Sequence, residues 1–134
     1  MKNPKLTICL SIILFSLAAC NNYGKKLIFN EGELYYTENL TEEEATKLGN
    51  FLVDDGFFSG QEISIQIDKT NGTYIFRMVS KDGVEDDPNF ITLAEEYTRR
   101  LSAEVFNNAP VDFHFCDTEL KTKKEIRFTP AAPN

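Results

Sequence analysis

The chain has 134 residues and a formal net charge of −7, from 21 acidic and 14 basic residues. This length is enough for one domain and hardly for two. The acidic balance argues against nucleic acid as a partner and against docking on anionic lipid by charge, because both are polyanions that attract lysine and arginine.

The first 20 residues have the pattern of an export signal. Lys2 and Lys5 give a positive start, and residues 6–17 form an uncharged, strongly apolar run. The run is too short for a membrane-spanning helix, which needs roughly 20 apolar residues, but it suits the core of a signal peptide. We therefore expect residues 1–19 to be a signal peptide that is removed on export.

The apolar run ends in Leu17-Ala18-Ala19-Cys20, which resembles the lipobox of bacterial lipoproteins. Small residues there let a protease bind the chain in extended form, and a thiol is the nucleophile that can capture a lipid. The resemblance implies cleavage between Ala19 and Cys20, followed by a diacylglyceryl group on Cys20. Two or more acyl chains hold a protein firmly on a membrane. An ordinary cleaved signal peptide and an uncleaved short anchor are the alternatives.

Cleavage before Cys20 changes the composition of the remaining chain. Loss of two lysines leaves 12 basic residues against 21 acidic ones, a formal charge of −9. Cys9 leaves with the signal, so Cys116 is the only thiol of the domain and no intramolecular disulfide is available to it. The expected divisions are a signal peptide over residues 1–19, a lipidated tether over 20–26, a single α+β domain over 27–129 and a flexible tail over 130–134.

The domain begins with two short β-rich runs, residues 27–29 and 33–37, which the intervening turn residues join as a tight hairpin. A first helix should follow. Thr41 and Glu44 have the spacing of a capping box, which predicts its start, and Gly56 is a natural stop.

The segment after this helix predicts a β-hairpin residue by residue. Asn71-Gly72 is a preferred two-residue turn. A turn of this length fixes the register, and in this register one face of the hairpin is apolar and the other mixed. The predicted cross-strand pairs are Ile67–Phe76 and Ile65–Met78 on the apolar face and Gln66–Arg77 on the other face.

A second helix–strand–strand unit follows the first. Asp87 and Pro88 are typical of the cap and first turn of a helix. A shift of 48 residues places Ile63, Ile65 and Ile67 on Val111, Phe113 and Phe115. We interpret this as a tandem α-β-β repeat after a leading strand; chance similarity of two amphipathic patterns is the alternative. The predicted fold is α+β, an antiparallel sheet with two helices packed on one face.

The part of the chain after the lipobox is similar to uncharacterised bacterial domains of no known activity. The segments that carry this resemblance are Gly32-Glu33-Leu34-Tyr35-Tyr36, Thr41-Glu42-Glu43-Glu44-Ala45, Gly56-Phe57-Phe58 and His114-x-Cys116-Asp117. The resemblance implies no activity, so the functional interpretation depends on individual residues.

His114 and Cys116 are the best candidates for chemistry. They are two residues apart on one predicted strand, so both side chains point to the same face. A Cys–His nucleophile pair needs direct hydrogen-bond contact and a third orienting group, which this spacing does not supply by itself. A zinc site needs at least one further ligand, for which Asp112 and Asp117 are the neighbouring choices. We therefore expect a surface histidine and a semi-buried thiol, with no catalytic residue, metal or cofactor.

These observations favour a lipid-anchored module outside the cytoplasm, on the cell membrane or the outer membrane. We expect a non-enzymatic binding or protein-interaction module, with an envelope protein as the candidate partner and no nucleic acid. The main alternative is a small envelope hydrolase or metal-dependent enzyme centred on His114 and Cys116. A structural envelope component without a discrete ligand is a third option.

Overall fold

A computed structural model describes residues 23–133. The expected lipobox and its cleavage site between Ala19 and Cys20 lie outside these residues. A single 3-10 turn, Val84–Asp86, precedes the second helix. The other elements are β1 (Lys25–Phe29), β2 (Gly32–Tyr36), α1 (Glu42–Asp54), β3 (Ser64–Thr70), β4 (Thr73–Val79), α2 (Pro88–Glu104), β5 (Val111–Cys116) and β6 (Thr122–Ile126). β1 thus begins inside the segment expected to be a tether.

The six strands form one open sheet in chain order, β1 to β6. Neighbours within each hairpin are antiparallel, whereas β2–β3 and β4–β5 are parallel pairs. The α+β class is confirmed, but the sheet is mixed, which corrects the expectation of an antiparallel sheet throughout. The reason is that α1 connects β2 to β3 and α2 connects β4 to β5. A helix that carries the chain back across the sheet makes the next strand parallel to the last.

Local signals set the ends of these elements as expected. The Thr41 side chain accepts a hydrogen bond from the Glu44 backbone N–H, and the Glu44 carboxylate accepts one from the Thr41 N–H. Asn71 and Gly72 both have positive φ, as a two-residue hairpin turn requires. The predicted register is confirmed in full, with Ile65 opposite Met78, Ile67 opposite Phe76 and Gln66 opposite Arg77.

The helix–strand–strand unit occurs twice. Shifting α1, β3 and β4 by 48 residues moves them to 90–102, 112–118 and 121–127, which overlie α2, β5 and β6. The two units are preceded by the β1–β2 hairpin. This confirms the hairpin expected from the two short β-rich runs and replaces the single leading strand of the repeat interpretation.

Both helices cover the same face of the sheet and share one hydrophobic core with it. α1 contributes the buried side chains of Ala45, Leu48 and Leu52, and α2 those of Ala94, Tyr97 and Leu101. The sheet contributes buried apolar residues that the register places on a single face. These residues are Leu34, Tyr36, Ile65, Ile67, Phe76, Val111, Phe113 and Phe115.

We predict that Gly49→Ala destabilises the protein although alanine is the better helix former. A Cβ at this buried position of α1 would overlap the ring of Phe29 on β1. Gly to Ala inside a helix normally stabilises by about 1 kcal/mol, but overpacking a close helix–strand contact costs about 1–3 kcal/mol. Urea denaturation of the purified protein would measure the change. Asn50→Ala, at the next and exposed position, is the control and should leave the free energy of unfolding unchanged or slightly raised. A Gly49→Ala protein as stable as the wild type would contradict the packing described here.

Candidate functional site

The face of the sheet opposite the helices carries a polar row that we call the polar face. The register places one residue of every strand in this row. Arg77, near its middle, donates a hydrogen bond of 3.2 Å to the Gln66 amide oxygen and lies 3.7 Å from the Asp68 carboxylate. The row, from β1 to β6, consists of Lys26, Tyr35, Gln66, Arg77, His114 and Glu125.

His114 is held in a fixed orientation on the polar face. It is only 9% exposed, and its Nδ1 forms a 2.8 Å hydrogen bond with the Thr122 hydroxyl of β6. Its other nitrogen, Nε2, lies 3.9 Å from Glu125 Oε1, beyond hydrogen-bond distance. Burial, and then the positive charge of Arg77, lower the pKa of His114 below its usual value. The neutral imidazole is therefore favoured.

Two carboxylates converge on His114. Asp112 is two residues earlier on β5, and Glu125 is directly opposite on β6. One possible ligand atom from each of Asp112, His114 and Glu125 lies within 4.8 Å of the others. Asp112 Oδ1 also accepts a 2.9 Å hydrogen bond from the Phe128 backbone N–H, which holds the carboxylate in place. Asp112 is one of the two further ligands that the sequence suggested. Nothing in the sequence indicates Glu125, since only the pairing of β5 with β6 brings it to His114.

Cys116 and Asp117 do not join this cluster. Cys116 is fully buried, its thiol donates to the His114 carbonyl at 3.6 Å, and burial raises its pKa. A buried thiol with a raised pKa is a poor nucleophile. Asp117 Oδ1 accepts hydrogen bonds from the backbone N–H groups of Glu119 and Lys121, so it closes the turn between β5 and β6.

The chain enters the fold across the middle of the polar face. The Tyr23 carbonyl accepts a 2.9 Å hydrogen bond from Gln66 Nε2 on β3. The Tyr23 ring packs edge to face on Tyr35, with 5.5 Å between the ring centroids. A surface depression of about 310 Å³ lies beside this contact, lined in part by Glu33 and Ser64. The start of the domain is thus fixed against the sheet.

Asp68, two residues after Gln66 on β3, fixes the loop that follows β2. Its Oδ1 accepts hydrogen bonds from the Thr37 hydroxyl at 2.6 Å and from the Asn39 amide at 3.1 Å. Burial by itself raises the pKa of Asp68, but these hydrogen bonds and that from the Lys69 backbone outweigh it, so the pKa is lowered. A larger depression of about 750 Å³ lies beside Asp68, lined mainly by residues 36–42. Asp112, His114 and Glu125 do not line this depression.

Comparison with known proteins identifies one family. A family model described as a family N-terminal domain, AF_1994_N, matches residues 26–127. No curated protein and no solved structure matches the chain. Within residues 23–133, no helix has both the length and the apolar character needed to cross a membrane.

We predict that Cys116 is unreactive in the native protein. Its thiol is buried and its raised pKa disfavours the thiolate. Native protein would be treated with iodoacetamide, and the alkylated peptides would be identified by mass spectrometry. Cys116 should remain unmodified until guanidinium unfolds the domain. Thr118→Cys, exposed two residues later, is the positive control and should react at once. Equal alkylation rates at the two positions would contradict the burial of Cys116.

We predict that ionised Asp68 stabilises the fold at neutral pH, and that the hydrogen bond from the Thr37 hydroxyl supplies part of this stabilisation. Because the folded pKa of Asp68 lies below its ordinary value of 3.8, its contribution is present above that pH and is lost as the pH falls through the folded pKa. Thr37→Val removes a donor, so it should lower stability at about pH 7 by about 1 kcal/mol and have less effect at about pH 2. Urea denaturation at both pH values would measure this. Thr70→Val, at an exposed strand position, is the control; equal losses at both pH values for Thr37→Val would refute the assignment.

Proposed function

The chain belongs to the AF_1994_N family, and because this membership names no activity, we propose a function from the residues of the chain itself. The protein is a lipoprotein of the bacterial cell envelope, anchored to the cell membrane or outer membrane by lipid on Cys20. Its α+β domain is a non-enzymatic binding module, held outside the cytoplasm with the polar face close to the bilayer.

The observation that carries this proposal is the position of Tyr23. Tyr23 is hydrogen-bonded to Gln66 at the centre of the polar face, and Cys20 precedes it by three residues. Three residues span at most about 11 Å, whatever path they follow. A lipid on Cys20 therefore keeps the polar face within about 11 Å plus the headgroup layer of the membrane.

The charge of the domain supports anchoring by lipid rather than by electrostatics. After removal of residues 1–19 the chain has 12 basic and 21 acidic residues, so an anionic membrane surface repels it. Acyl chains contribute about 0.8 kcal/mol per buried methylene group, and two or more of them overcome such repulsion. The lipid anchor then attaches the protein to the membrane, and the acidic domain provides the surface that binds an envelope partner.

The burial of Cys116, the candidate nucleophile, supports binding rather than catalysis. Cys116 is a buried thiol that donates to a backbone carbonyl, and Asp117 is committed to a turn. Neither is positioned as the partner of His114 that nucleophilic catalysis needs. One observation favours the alternative of a small hydrolase or metal-dependent enzyme: Asp112 and Glu125 converge on His114.

The anchoring proposal predicts that Cys20, and not Cys9, carries lipid. The full-length chain would be expressed in a bacterium, and the N-terminal peptide of the membrane-bound protein would be analysed by mass spectrometry. We expect a chain that begins at Cys20 with a diacylglyceryl group. Cys20→Ala should abolish the lipid mass and the cleavage, whereas Cys9→Ala, the matched control within the signal, should retain both. An intact Met1, or an N-terminal Cys20 without fatty acid, would refute the proposal.

The orientation is tested in the same membranes by photo-cross-linking. A photoreactive residue at Lys26, exposed on the polar face, should form adducts with lipid or with an envelope protein. The same residue at Glu96, exposed on α2, should form few. Equal yields from both positions would contradict the proposed orientation of the polar face.

A further inference from the structure

We propose that Asp112, His114 and Glu125 form a binding site for one Zn²⁺ ion, with a fourth coordination position open to water or to a ligand. The proposal stands on these three side chains and is independent of the lipid anchor. It adds a ligand class to a surface for which the sequence predicts no metal.

The distances are close to those of a bound ion. One ligand atom from each residue lies within 4.8 Å of the other two. Zn–N and Zn–O bonds of 2.0–2.2 Å in a tetrahedral site bring ligand atoms to roughly 3.4 Å from one another. A contraction of at most about 1.4 Å is within reach of side-chain rotation, especially for Glu125, whose side chain is 37% exposed on the edge strand β6.

The imidazole is already oriented as a metal ligand requires. Metal-binding histidines generally use one ring nitrogen for the metal and the other for a hydrogen bond that fixes the ring. In this site Nδ1 is bound to the Thr122 hydroxyl, whereas Nε2 faces Glu125 at 3.9 Å without a hydrogen bond to it. His114 is a polar side chain that is nine-tenths buried, and its free nitrogen points at a carboxylate.

The two carboxylates are available to a cation. Asp112 uses one oxygen to accept the Phe128 N–H, and a carboxylate has a second oxygen for a metal. Glu125 pairs with Arg127 at 3.1 Å, but the Arg127 side chain is 81% exposed, so this pair contributes little and an ion can displace it.

The guanidinium group of Arg77, the nearest positive charge on β4, does not occupy the proposed metal site. Arg77 is the register partner of His114 on β4, and its charge opposes cation binding. Its guanidinium is directed to Gln66 at 3.2 Å and Asp68 at 3.7 Å, both on β3, the other side from Glu125. The two carboxylates of Asp112 and Glu125 outnumber the single guanidinium of Arg77, so the net charge at the site is negative and favours a divalent cation.

The donor set is compatible with zinc. Zn²⁺ binds imidazole nitrogen and carboxylate oxygen, and three protein ligands leave its fourth tetrahedral position open to water or to a further ligand. The thiol of Cys116 is outside the set, so the site consists of nitrogen and oxygen donors only.

Isothermal titration of the protein with Zn²⁺ alone tests the site. The membrane-extracted protein in detergent would first be treated with a chelator, which is then removed by dialysis. We expect one ion per chain, and a loss of at least about tenfold in affinity for His114→Gln, Asp112→Asn and Glu125→Gln. Thr122→Val should lose about 10–100-fold through misorientation of the imidazole. Glu119→Gln, an exposed carboxylate of the same hairpin, is the matched control and should bind as the wild type does.

A spectroscopic measurement separates this site from thiol binding and from misfolding. Co²⁺ in place of Zn²⁺ should give d–d absorption bands without a thiolate charge-transfer band, unchanged in Cys116→Ser. Thermal unfolding of each variant without metal would verify its fold, and the exposed Glu125→Gln keeps the test valid if His114→Gln fails to fold. The Cys20→Ala protein retains the three ligands and should bind Zn²⁺ equally, so failure of the anchor and failure of the site are distinguishable. Absence of binding, affinity unaffected by Glu125→Gln, or a thiolate band would overturn the proposal.

Discussion

The structure depends on one constraint: both crossover helices lie on the same face of a six-stranded sheet. That face receives the whole hydrophobic core, including the buried side chains of both helices. Among residues 23–133 no helix covers the other face, so polar contacts along the sheet satisfy its polar groups. The row from Lys26 to Glu125 meets this need through pairs such as Gln66–Arg77.

This division of the sheet leaves the two features on which our proposals rest on one surface, the polar face. Tyr23, the first residue that the structure describes, is bound to the centre of the polar face. The convergence of Asp112 and Glu125 on His114 lies on the same face, toward β6. Under the proposed lipid anchor, the metal site and the point of attachment would share the membrane-facing side. A ligand would then reach the site from the gap between domain and bilayer.

Local sequence signals are sufficient to predict features that depend only on residues close together in the chain, such as helix caps and hairpin turns. The Thr41–Glu44 capping box and the Asn71-Gly72 turn involve residues no more than three apart, and both form as predicted. The register of β3 and β4 followed from the turn alone. The sequence places His114 on the correct strand and suggests Cys116, Asp112 and Asp117 as its companions because they are near it in the chain. Of these, the structure brings only Asp112 to His114, and it adds Glu125, eleven residues away and across a hairpin.

The sequence by itself determined the elements, their caps and turns, the α+β class and the repeated helix–strand–strand unit, because these arise from contacts within a few residues and from apolar periodicity. Only the tertiary structure decided that β2–β3 and β4–β5 are parallel, since strand direction depends on where each helix crosses the sheet. It also decided that Cys116 is buried and that Asp112 and Glu125 converge on His114. The convergence depends on the register of β5 and β6, which is shifted at Phe115 and Cys116 and which no short turn motif in the sequence fixes.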